Sequence, residues 1–228
     1  MTDNTASTDT TSTDTGAPAD TAAEKPKAKR APRKRHGAKS KGKAWDISQF
    51  VVPSEEGKTR FHDFDLPPAL MRGIQDTGFH YCTPIQASSL PHSLNGHDMV
   101  GKAQTGTGKT AAFLITLLTR LLEKTPSSVP KGKEGPRALI IAPTRELARQ
   151  IEKDALLLGK HCSFRTVCVI GGVDYDKQRN LIKDGVDILI ATPGRLIDFY
   201  KQKFFSLKKV EVLVVDEADR MFDMGFIA

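Results

Sequence analysis

The chain has 228 residues and a formal charge of +7, room for one domain of ~100–200 residues plus an extension. Its 39% hydrophobic and 27% charged residues are ordinary for a soluble protein. Its apolar runs fall well short of the ~20 residues that cross a bilayer. The N-terminus has no apolar stretch behind a basic start, so it does not read as a secretory signal. Cys82, Cys162 and Cys168 are odd in number and lack metal-ligand spacing, which reads as reduced thiols of a cytoplasmic protein, with Cys168 packed inside a strand.

The charge is uneven along the chain. Residues 1–24 carry five acids and no Lys or Arg, and residues 25–44 carry ten Lys or Arg and no acid. This leaves +2 for everything from Trp45 onward, so the excess sits in an arm and not on the folded body. After Met1, residues 2–44 lack large apolar side chains and cannot bury enough surface to offset their ordering entropy; a disordered tail is expected. Its basic half suits salt-sensitive phosphate binding, or simple solubilisation. The folded domain is expected over 45–228.

Phe61 and Phe64 read by themselves as core aromatics, and Thr83 before Pro84 reads as a helix N-cap. Asp98–Gly101 is a short strand candidate. It leads into Ala103-Gln104-Thr105-Gly106-Thr107-Gly108-Lys109-Thr110 and then a helix with Ala111, Leu114, Ile115, Leu118 and Leu122 at helical spacing. This is a P-loop. Glycines turn backbone amides toward phosphates at a helix N-terminus. Lys109 reaches the β- and γ-phosphates, and the Thr110 hydroxyl holds Mg²⁺. Ala103 stands where the general pattern opens with Gly.

Thr125–Pro136, rich in Pro, Gly, Ser and Lys, reads as a surface loop. Beyond it, short apolar runs at Ala138–Ala142, Arg165–Ile170, Asp187–Ala191 and Glu211–Val215 alternate with amphipathic helical stretches such as Arg145–Gly159. That alternation predicts an α/β fold with a mainly parallel sheet and helices on both faces. The last strand ends in Asp216-Glu217-Ala218-Asp219. Ligands of such sheets collect at the carboxyl ends of strands, where Asp216 suits Mg²⁺ coordination and Glu217 suits orienting a water.

Asp216-Glu217-Ala218-Asp219 resembles the signature of the DEAD-box RNA helicases. Pro143-Thr144-Arg145-Glu146-Leu147-Ala148, Gly171-Gly172 and Thr192-Pro193-Gly194-Arg195 resemble that family's RNA-contact motifs in the same order. Gly78 through Gln86, with Phe61 upstream, resembles its adenine-reading Q motif. Cys82-Thr83-Pro84-Ile85-Gln86 and Asp174-Tyr175-Asp176-Lys177-Gln178 look most like the bacterial RhlB type. The resemblance implies a RecA-like domain, ATP and Mg²⁺ as cofactors, RNA as partner, and unwinding of short duplexes. It also implies that Gln86 reads adenine, that Phe61 stacks on the base, and that an RNA-degrading complex is a partner.

The resemblance further implies that the chain is incomplete at its C-terminus, lacking a Ser-Ala-Thr motif with its strand and a second RecA-like domain that supplies an arginine finger. On that expectation the sheet has a gap, and the chain alone folds poorly and turns over little ATP. Two other readings fit parts of the sequence: a DNA helicase or translocase, and a non-catalytic RNA-binding adaptor working through its basic arm.

Overall fold

A computed structural model describes residues 45–124 and 135–226. The tail expected at 1–44 and most of the loop expected at 125–136 lie outside them. Four parallel strands form the sheet in the order β2-β3-β1-β4. They are β1 (Ala138–Ile141), β2 (Thr166–Val169), β3 (Ile188–Ala191) and β4 (Val212–Val215), each inside a predicted apolar run. β1 pairs with β3 from Ala138–Ile188 to Ile141–Ala191, and with β4 from Ala138–Val212 to Ile141–Val215. All strands therefore end along one edge.

Strand residues point alternately to the two faces, and the core divides accordingly. Ala138, Ile140, Cys168, Ile188 and Ile190 pack with α1 (Pro68–Asp76), α2 (Pro84–Leu94), α3 (Lys109–Glu123) and α4 (Arg145–Leu158). Leu139, Val167, Val169, Leu189 and Ala191 face α5 (Tyr175–Lys183) and α6 (Pro193–Lys201) on the other side. The predicted apolar face of α3 is buried at Ala111, Leu114, Ile115 and Leu118. Thr83 is the N-cap of α2, with Pro84 in its first turn. Cys168 is buried in β2, and burial pushes its thiol up to about 12, so it remains protonated at neutral pH.

One predicted element is absent. Asp98–Gly101 is not a strand; Val100 is fully exposed and Met99 nearly half so. Pairing is a non-local requirement, and this segment meets none. A cavity of about 640 Å³ lies between it and β4, and among the described residues β4 has a strand on one side only. On the α5–α6 face, Leu213 and Val215 of β4 remain exposed at 58% and 41%.

Candidate functional site

The P-loop enters α3 through Gly108, whose φ of 93° lies in the left-handed region that glycine alone adopts at little cost. A β-carbon there would also sit 2.5 Å from Gln86 Nε2. The Lys109 ammonium donates to the Ala103 carbonyl and lies 3.4 Å from that of Gln104, while the Thr107 hydroxyl donates to Gln104 O at 2.7 Å. The loop is thus folded onto its own lysine. Gln104, Thr105 and Gly106 are exposed.

Asp216 continues the β4 ladder, its amide donating to Ile141 O at 3.0 Å. Its side chain accepts from the Glu217 amide at 3.0 Å. Lys109 and Asp216 line the same cavity. Burial raises the Asp216 pKa; the Glu217 amide and Lys109 oppose that shift, while the charges of Glu217 and Asp219 add to it. A partly desolvated carboxylate, not neutralised by its one lysine, suits a divalent cation. Thr110 and Glu217 do not line that cavity. The Glu217 carboxylate is instead 3.4 Å from Arg220, and its backbone turns from β4 into α7 (Ala218–Asp223) with φ 48°.

The two residues expected at the base have surroundings of their own within the protein. The Gln86 side chain is 3% exposed and both ends of its amide are used within the protein. Oε1 accepts from the Thr83 amide at 2.9 Å, and Nε2 donates to Gly108 O at 3.0 Å. It ties α2 to the P-loop cap, with one N–H and one carbonyl lone pair of the amide left over. The Phe61 ring is buried in the core and lies 6.4 Å from the Phe79 ring.

The second group of predicted residues does converge. Pro143, Thr144, Arg145, Gly171, Gly172, Thr192, Gly194 and Arg195 line one groove of about 600 Å³ at the ends of β1, β2 and β3. Pro193 opens α6 from a buried position behind it. The Thr144 hydroxyl caps α4, accepting from the Leu147 amide at 3.2 Å. The Arg195 guanidinium lies 5.0 Å from the Tyr175 ring and 5.3 Å from the Phe199 ring, a cation–π seat that fixes its position. Its Nη1 is buried with no protein partner.

The glycines of this groove divide by cause. Gly172 has φ 73°, and a β-carbon on it would strike the Arg145 guanidinium. Gly171 and Gly194 are under no such constraint: neither has a positive φ, and a β-carbon on either meets nothing within 4 Å. Gly194 even lies in the first turn of α6, where glycine weakens the helix relative to alanine. The fold does not need glycine at these two positions.

The model of the DEAD/DEAH box helicase family matches residues 83–228. The chain belongs to that family. It is 57% identical over 178 residues to the ATP-dependent RNA helicase RhlB of Pseudomonas aeruginosa (strain UCBPP-PA14), covering 78% of this chain and 45% of that protein. It is 58% identical over 168 residues to the protein of the same name from Xanthomonas oryzae pv. oryzae, covering 73% and 29%. Among solved structures it resembles a DEAD box protein from the hyperthermophile Methanococcus jannaschii, with a TM-score of 0.64, 32% identity, and coverage of 74% and 44%. The chain spans less than half the length of each of these relatives.

The family's RecA-like fold is the one the sheet and its two helical layers form. Sequence reasoning passed over Asp198, Met224 and Phe226, which line the groove together with Glu146, and gave no role to Gln178, which is buried behind it. Met224 and Phe226 reach the groove only through the turn that ends α7. No described helix is long and apolar enough to cross a membrane.

Proposed function

We propose that this chain is the ATP- and RNA-binding part of an ATP-dependent RNA helicase of the RhlB type. The observation that carries this reading is the placement of two separate lined spaces along one sheet edge. One holds Lys109 and Asp216, and the other gathers Thr144, Arg145, Gly171, Gly172, Thr192, Gly194 and Arg195. The P-loop amides and Lys109 bind the triphosphate once the ammonium leaves the carbonyls it now contacts. Gln86 holds the P-loop cap against α2, so its contribution to nucleotide selection runs through the loop's shape. Asp216, with the Thr110 hydroxyl brought in from the P-loop helix, would hold Mg²⁺, which would supply charge neutralisation at the triphosphate.

In the second groove, hydroxyls, glycine amides and two arginines follow a sugar-phosphate strand and read little base sequence. Arg145 and Arg195 are balanced there by Glu146 and Asp198, so hydrogen bonding and shape contribute more than net charge. Coupling arises because β1 and β4 are adjacent strands serving both spaces: β1 leads into Pro143–Arg145 and β4 into Asp216. In the whole protein, ATP binding then favours the conformation that grips one strand, and duplex opening follows from that preference. Turnover of RNA in a larger assembly forms part of this proposal.

The test is equilibrium binding of a ten-nucleotide oligouridylate and its deoxy counterpart to the chain, with and without Mg·ATP. The helicase reading expects tighter RNA than DNA binding that Arg195→Ala diminishes. Equal binding of both strands supports a DNA translocase. Loss of all binding on deleting residues 1–44 supports the adaptor reading.

A further inference from the structure

Gln178 is not part of the nucleotide site or of the groove lining, yet it is one of the few buried polar side chains, at 3% exposure. It lies in the second turn of α5 and reaches back into the loop that joins β2 to that helix. Its Oε1 accepts from the Ile170 amide at 2.7 Å. Its Nε2 lies 3.2, 3.1 and 3.2 Å from the carbonyls of Ile170, Val173 and Asp174. A primary amide is the side chain that offers an acceptor and two donors from one planar group. Here one such group satisfies both ends of the Ile170–Asp174 loop.

That loop is the one carrying Gly171 and Gly172 into the groove. From the groove side, Arg145 Nη1 lies 3.4 Å from Gly171 O, and the Arg145 guanidinium fills the space a Gly172 side chain would need. From behind, the Gln178 side chain accepts from the Ile170 amide. Ile170 is itself buried, so without Gln178 its N–H and C=O lose their partner out of reach of bulk water.

We infer that Gln178 is a positioning residue for strand binding: through its acceptor and two donors it holds the Gly171–Gly172 backbone in the shape that grips a sugar-phosphate chain, without touching that chain. This rests on the groove's reading as an RNA-binding surface. A glutamine that only packed the core would alter the melting temperature and nothing else. A positioning residue leaves a second mark, because glycine amides are uncharged. Losing their phosphate contacts weakens binding without changing counterion release, whereas losing an arginine contact lowers the salt slope by about 1.

The experiment uses the chain with its tail and three variants, Gln178→Met, Gln178→Glu and Arg145→Ala/Arg195→Ala. Binding of a fluorescent ten-nucleotide oligouridylate is followed by anisotropy from 50 to 200 mM salt, well below each melting temperature, with Mg·ATP affinity measured on the same samples. The double arginine variant defines what the tail contributes. Gln178→Met is expected to weaken groove binding roughly tenfold at an unchanged salt slope, with nucleotide affinity kept. Gln178→Glu keeps the acceptor but loses both donors; protonation restores one of them, so its strand affinity recovers on acidification while the parent's does not. Gln178→Met that melts lower but binds the strand like the parent overturns the inference. So does a fall in salt slope matching the arginine variant, or a Gln178→Glu profile that follows the parent at every pH. If the double arginine variant binds as the parent does, the groove reading itself fails, independently of Gln178.

Discussion

Gly194→Ala separates what the fold needs from what the strand needs. The residue occupies the first turn of α6 behind the Thr192 cap and Pro193, and an added β-carbon meets no atom within 4 Å. Replacing glycine by alanine in a compatible helix position stabilises a protein by about 0.5–1 kcal/mol, partly by restricting the unfolded chain. For a domain of this size that raises the melting temperature by ~1–4 °C. The same methyl projects into the groove beside Arg195 and Thr192, where close passage of a sugar-phosphate strand leaves no room for it. Thermal melting and anisotropy on one preparation should therefore move in opposite directions: a higher melting temperature, with strand affinity down by about tenfold, or ~1.4 kcal/mol. A variant that melts lower would show that Gly194 has a structural cause not visible in its surroundings. One that melts higher and binds RNA as before would remove the groove from the account.

Gly108→Ala places a methyl against Gln86 Nε2 in a left-handed backbone, a conformation costing non-glycine residues about 1–2 kcal/mol; calorimetric titration should show Mg·ATP binding weakened with strand binding retained. Asp216→Asn should raise the melting temperature at neutral pH. Burial holds the wild-type carboxyl's pKa above its ordinary value, so ionisation disfavours the folded state as pH rises through that range. The gain should disappear on acidification below the ordinary aspartate range, where the wild type is neutral too, and a variant less stable at neutral pH would contradict this. Leu213→Lys, on the exposed side of β4, should improve solubility, as measured by light scattering.

The strands were legible because buried parallel strands are continuous apolar runs, and each of the four observed strands lies inside one. Their ends were legible too. Pro143–Arg145, Gly171–Gly172 and Thr192–Arg195 follow three strands directly, so a parallel sheet carries them to one edge whatever the details of packing. Asp98–Gly101 misled because a strand is defined by its neighbours, and an apolar stretch does not reveal whether it has any. The burial of Gln86 was not legible for a related reason: it is set by the docking of α2 against the P-loop, between residues 22 apart in sequence; Phe61 is buried as the core aromatic it reads as by itself. Gln178 carries no role in the sequence beyond its place in the Asp174–Gln178 resemblance. Only the fold shows that it points inward, at the loop before its own helix.

The central claim is that Lys109, released from the carbonyls of Ala103 and Gln104, binds the triphosphate beside Asp216. Calorimetric titration of Mg·ATP into the chain and into Lys109→Ala tests it most directly. Measurable binding by the chain, with at least a tenfold loss in a variant whose melting temperature is unchanged, is the predicted result. Equal affinity in the two proteins would contradict it.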